Sequence, residues 1–281
     1  MRVSDIDFIS GNVEIMSLSV RMPPVDAKYL TKAIIGLDAE AITPKFYGFG
    51  LVHREKFYDY TLPPREVVVR AVLNPNYGNN ERNADLRDEL YRTISSSRSS
   101  SLMMVFKNGA VSVAQLTGNI IKFEVPHFSM VPEVQLTIRC PDPILRAITY
   151  VDMGEDDISP VHPFEITDAI STYPHGLVFE AVLLSAQPTF VLQDKETAPS
   201  WKFELAPQGG FLAGDILRVS SEFGDKYVTL ERAGVVTPQI DSFLFGSLWP
   251  VIFPGYNEFF SNYSGQIQWN SVSYRPAFWG V

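Results

Sequence analysis

The sequence predicts a mainly β protein built as two domains, the first of which carries one α-helix. Three observations lead there: strand-length apolar runs recur along the whole chain, a single segment has a helical period, and the charge balance changes midway. The 281 residues are enough for two cores. Residues 1–150 hold 17 Lys/Arg against 16 Asp/Glu, whereas residues 151–281 hold 6 against 16. That shift from +1 to −10 places a boundary near 140–160.

"EVVVRAVL" (66–73) is a β-branched run rich enough in valine to expect burial on both faces. In "LMMVFKNGAVSVAQL" (102–116), Asn108-Gly109 supplies the two positive-φ residues of a tight turn, which predicts a hairpin. "GNIIKFEV" (118–125) reads as the next strand. In "VQLTIRC" (134–140), Val134, Leu136, Ile138 and Cys140 alternate with Gln135, Thr137 and Arg139. Pro141 and Pro143 then stop the strand, and Asp142 reads as a turn residue in a hinge.

The helix is expected over 84–95. Leu86, Leu90 and Ile94 recur every fourth residue, Asn83 suits the N-cap, and Asp85 sits where the helix dipole favours an acid. Asp88 and Arg92 are spaced to pair. Residues 74–80, 95–101 and 154–163 read as loops. Beyond residue 160, "LVFEAVLL" (177–184), "WKFEL" (201–205), "DILRVS" (215–220) and "KYVTLE" (226–231) are strands broken by Gly and Pro, the pattern of a sandwich or small barrel.

Chemistry is harder to find. Cys140, the only cysteine, is the inward member of an alternating strand and reads as core, since a reactive thiolate needs a basic neighbour or a helix N-terminus. One cysteine also excludes an internal disulfide and a thiolate zinc site. His53, His127, His162 and His175 are too scattered for a ligand pair, and Asp152, Glu155, Asp156 and Asp157 lack the spacing of a calcium loop. "GFG" (48–50) lacks the third glycine of a dinucleotide fingerprint. No residue is therefore assigned a catalytic, cofactor-binding or metal-binding role, and neither an enzyme nor a cofactor is expected. A neutral first half and an acidic second half argue against nucleic-acid recognition. There is no apolar run of membrane length and no signal-peptide pattern in "MRVSDIDFIS", so folding in a cytoplasm is expected.

The order of segments resembles the siphophage distal tail proteins. "LPPREVVVRAVL", the helix "ADLRDELYRTIS", the hairpin about "KNG" and "LTIRCPDPIL" are similar to that family's amino-terminal half. "LAGDILRVSSEFGDKYVTLERAG" (212–234) and "SLWPVIFPGYNEF" (247–259), with Gly255 and Asn257 in a turn, are similar to its closing half. The resemblance covers about residues 60–275 and each motif in it is structural. It implies a β-sandwich-like ring domain over 1–141, completed by a strand over 267–281 that returns to it. It also implies a carboxy-terminal domain over 142–266, either a galectin-like β-sandwich or a small β-barrel. The implied function is that of a virion protein assembled in the host cytoplasm. As a homo-hexameric ring it would join the tail tube protein to the baseplate hub, pass DNA through its lumen without specific contacts, and carry receptor-binding proteins. A carbohydrate- or receptor-binding module is the alternative, on the aromatics Tyr173, Trp201, Trp249, Tyr256, Phe259, Phe260 and Tyr263.

Overall fold

The computed structural model describes residues 4–10, 13–19, 27–38, 43–48, 55–75, 82–97, 101–108, 111–125, 132–153, 164–194, 202–261 and 266–280. The chain divides into two units: Met1–Ile148 together with Phe278–Val281, and Thr149–Ala277. No helix among the described residues is long and apolar enough to cross a membrane.

The first unit is built on antiparallel strands in the order Val13–Ser19, Asp5–Ser10, Leu102–Asn108, Val111–Glu124, Glu133–Cys140, Arg65–Leu73, Tyr29–Ile35. The hairpin Asp5–Ser10/Val13–Ser19 was not legible in the sequence, yet Ile6, Phe8, Met16 and Leu18 are all core residues. Thr43–Gly48 and Glu55–Thr61 form a separate two-stranded ribbon.

Several expectations change here. Arg65–Leu73 buries one face only: Val67, Val69, Ala71 and Leu73 point into the core, while Glu66 and Arg70 face water. The reason is that a single core lies beneath it. Residues 111–116 and 118–125, read as two strands, are one strand, Val111–Glu124, that changes partner at Gly118. Gly118 pairs with Leu102, whereas Asn119 pairs with Arg139, so the strand passes here from one neighbour in the sheet to the other. A Cβ on Gly118 would sit 2.7 Å from both Arg139 O and Cys140 Sγ, so only glycine fits this corner. In the hairpin, Asn108 pairs with Val111, which makes 109–110 rather than Asn108-Gly109 the two-residue connection. Those two residues lie outside the described ones.

The helix spans Asn83–Ser97 and inserts Leu86, Leu90 and Ile94 into the core. Its cap position belongs to Arg82, not Asn83: Leu86 N–H donates to Arg82 O, and the Asp85 carboxylate accepts from Arg82 N–H at 2.9 Å. Asp88 faces Arg87 Nε at 3.5 Å, and Glu89 pairs with Lys28 at 2.9 Å.

The boundary also moves. Pro141–Pro143 is a turn inside the first unit: Asp142 accepts from Ile144 N–H at 3.2 Å and from Arg146 Nη2 at 2.8 Å. Leu145–Ala147 then pairs back onto Val111–Glu124 and buries Leu145 and Ala147 in the first core. The chain therefore leaves at Ile148 rather than at 141. Of 267–281, only the two-residue strand Ala277–Phe278 returns to the first sheet, where it pairs with Leu145–Ala147. Ile267–Tyr274 pairs with His175–Leu183 and Val151–Met153, because Ile267, Trp269, Val272 and Tyr274 fill the second core. Only Phe278–Val281 rejoins the first unit.

The second unit is a sandwich of two sheets rather than a closed barrel. One sheet runs Val151–Met153, Ile267–Tyr274, His175–Leu183, Ile216–Glu222, Asp225–Arg232, Val235–Pro238; the other runs Phe164–Asp168, Gly255–Ser261, Phe190–Asp194, Lys202–Leu205. Phe179, Phe190, Phe203 and Trp269 meet in edge-to-face and stacked pairs, with centroids 5.3–6.4 Å apart, between the sheets.

Candidate functional site

Cys140 tests the enzymatic reading first. It has no exposed surface, and burial pushes its thiol up to about 12 despite the Arg65 charge. At neutral pH the sulfur stays protonated and sits against Gly118, so it is a core residue. Arg65, its cross-strand partner, is equally buried and has another task. Its guanidinium donates to Leu37 O at 3.2 Å and to Trp279 O at 2.5 Å, which ties the chain's last residues into the first unit.

Of the four histidines, His53, His127 and His162 lie outside the described residues, as do Glu155, Asp156 and Asp157. His175 is described, and it belongs to a cluster that sequence reading missed. Its Nε2 lies 2.7 Å from Asp168 Oδ2, and Nδ1 lies 3.3 Å from Gly176 O. Asp168 Oδ1 accepts from Ile170 N–H at 3.1 Å and Ser171 N–H at 3.0 Å. Burial alone would raise the Asp168 carboxyl, but the bonds from His175, Ser171 and Ile170 outweigh it and hold the group at about 2. The imidazole is stacked on Tyr274 at 5.1 Å.

An acid–histidine pair suggests a catalytic relay, yet both partners are buried and both ring nitrogens face acceptors inside the protein. The pair is a clamp instead. It shapes the loop 168–173, on which Thr172 and Tyr173 N–H donate to Ala277 O and Ser171 Oγ accepts from Ala277 N–H. A strand-end aspartate followed three residues later by serine was the available signal; the histidine's contribution needs the fold. Among the described residues, no group of three or more His, Cys, Asp or Glu could hold a metal ion.

The two carboxy-terminal motifs have equally structural explanations. Asp215 of "GD" accepts from Arg232 Nε at 3.0 Å and Nη2 at 2.6 Å, and from Leu212 N–H at 2.8 Å, so it fastens the Asp225–Arg232 strand to the preceding turn. Gly214 has φ 87°, which the turn requires. Asn257 is fully buried and caps the turn at Gly255 (φ 102°): Oδ1 accepts from Phe253 N–H, and Nδ2 donates to Phe253 O and Gly255 O.

The aromatics proposed for sugar binding do not assemble into a platform among the described residues. Phe259 is in the core, and Trp249 packs on Phe243 and Phe203, with centroids 4.9 and 6.1 Å away. Tyr173 and Phe260 are half-buried, and Tyr256 is exposed. Trp201 and Tyr263 lie outside the described residues. What the second unit does present is an exposed flank, Val235–Leu248, beside an open cleft of about 650 Å³ lined by Ala206–Gln208, Thr237–Gln239, Asp241 and Ser242.

Comparison with known proteins places this geometry. No family model matches the chain, and no curated protein matches it. Among solved structures, the chain is similar to the SPP1 Dit (gp 19.1) protein, described as a paradigm of the hub adsorption apparatus in Gram-positive-infecting phages. The identity is 12%, the TM-score 0.63, and the match covers 97% of this chain and 99% of that one. The phage P2 baseplate in its activated conformation with Ca is matched at 7% identity and a TM-score of 0.41, over 98% of both chains. From first strand to last, through both units, the chain has the fold of the SPP1 Dit protein.

Proposed function

We propose that this chain is a structural protein of a phage tail tip, a distal tail adaptor that forms a hexameric ring between the tail tube and the baseplate hub. The observation that carries the reading is the match in fold to SPP1 Dit over almost the full length of each chain. The interior supports it, since the thiol and the acid–histidine pair that could suggest catalysis are both sealed in cores. The first unit builds the ring, and the second is available to further tail components such as receptor-binding proteins. DNA passes through the lumen without base recognition, in keeping with the lack of a basic excess. The protein acts in the virion after assembly in the host cytoplasm, and it is not an enzyme.

A closed ring needs two different complementary patches on each subunit, because neighbours meet head to tail. Light scattering on the purified chain is the test. Six copies of 31.5 kDa give a particle of about 190 kDa. A monomer or dimer at every concentration, including in the presence of tail tube protein, sinks the ring.

A further inference from the structure

The sandwich of the second unit has one flank made by a single run of chain. Val235–Pro238 is the last strand of its sheet, bonded on one side to Asp225–Arg232, and its outer edge has no strand partner among the described residues. The chain then crosses to the opposite sheet, where Ser242 O accepts from Ala206 N–H, and Leu244 and Leu248 N–H donate to Glu204 O and Lys202 O. Val235, Val236, Ile240, Leu244, Phe245 and Leu248 are all exposed along this one run, and Phe245 completely so.

The exposure is held rigidly rather than left to a loose loop. Ser247 N–H closes a turn onto Leu244 O at 3.0 Å, Ser247 Oγ accepts from Glu204 N–H at 2.8 Å, and Gly246 (φ 84°) permits the bend. The Phe245 ring is thus presented on a fixed turn, with little ordering left to do on binding. Edge strands are ordinarily blunted by charge. This one carries none, and Pro238 stands only at its end.

Charge selects the occupant. Asp241 is the only ionisable residue in 235–248. Residues 149–277 hold 6 Lys/Arg against 16 Asp/Glu, a net −10, and Lys202, Arg218, Arg232 and Arg275 are committed to Glu204, Glu180 and Glu231, Asp215, and Glu222. A second copy of this unit would bring the same negative charge. We propose that the flank Val235–Leu248 is a docking edge for an extended apolar segment bearing lysine or arginine from a different protein, which adds a strand to Val235–Pro238 and receives the Phe245 ring.

The test uses the full chain and two labelled probes, the peptide acetyl-Lys-Val-Thr-Val-Lys-Val-amide and its counterpart with glutamate for lysine. The lysine peptide should bind, slow hydrogen exchange at the amides of 235–237, and exceed the glutamate peptide by about tenfold in affinity. Phe245→Ser and Val236→Lys should each weaken it about tenfold. Neither change removes a buried group, and Lys at 236 would face Glu231 across the ladder. Equal binding of the two peptides, no protection at 235–237, or indifference to both variants overturns the proposal. Self-association abolished by Val236→Lys also overturns it, since a second copy would then be the occupant. The ring is judged separately: a six-copy mass that survives Val236→Lys leaves it standing whatever the peptides do.

Discussion

Truncation of Leu90 gives the sharpest test of how the first unit is held together. Leu90 has no exposed surface and lies between Leu86 and Ile94 on the buried stripe of Asn83–Ser97. Leu90→Ala removes three carbons, worth about 2.4 kcal/mol at about 0.8 kcal/mol per buried methylene. The cavity left behind brings the expected loss to about 2–5 kcal/mol. A 15-residue helix has little stability apart from this contact. Against a domain stability of about 5–15 kcal/mol, the loss is large. With a urea dependence of about 1–3 kcal/mol per molar, the midpoint of the first unit should fall by about 1–2 M. Hydrogen exchange read unit by unit assigns the transition, with the second unit, Thr149–Ala277, as internal reference. Glu89→Ala is the control, because its pair with Lys28 is about half exposed on both sides and should contribute at most about 1 kcal/mol. If Leu90→Ala shifts the first unit no further than Glu89→Ala, the helix is not an integral part of the core and the reasoning fails.

Three further outcomes follow from the buried groups. Asp168 sits at about 2 in the folded protein against 3.8 for the ordinary carboxyl, so its contribution of about 2 kcal/mol is present above pH 4 and lost as pH falls through 2; acid titration of Asp168→Asn should show a flatter loss of second-unit stability over that range. Gly118→Ala should destabilise the first unit by about 2 kcal/mol or more, since the new methyl meets backbone oxygen as well as Cys140 Sγ; a melting curve like wild type would remove the corner from Val111–Glu124. Cys140 should resist iodoacetamide at pH 8 in the native chain and react once unfolded, and Cys140→Ser should cost about 1–2 kcal/mol without altering oligomeric mass; native labelling at the rate of free cysteine would contradict its burial.

What could be read directly from the chain was local. The period-four leucines placed the helix within two residues of its ends, and the alternation ending at Cys140 oriented that strand correctly, because both patterns record which side chains face one core. Recurring strand-length apolar runs and the change in charge balance were enough to predict two β units, and the alternation over 134–140 to predict a core thiol. Partners were beyond its reach. The valine run could not show whether a second layer would cover it, and Pro-Asp-Pro looked like a hinge because a proline turn inside a domain has the same sequence signature. Nothing near residue 267 announces that Ile267 and Trp269 fill the second core rather than the first. Asp168 and His175 meet only because a loop folds back at Ser171, and Gly118 is recognisable as a corner only when Cys140 lies above it. Side-chain period is fixed by backbone geometry within one segment, whereas layer assignment, cross-strand partners and the exposed edge at Val235–Pro238 depend on which segments meet. That choice belongs to the tertiary structure.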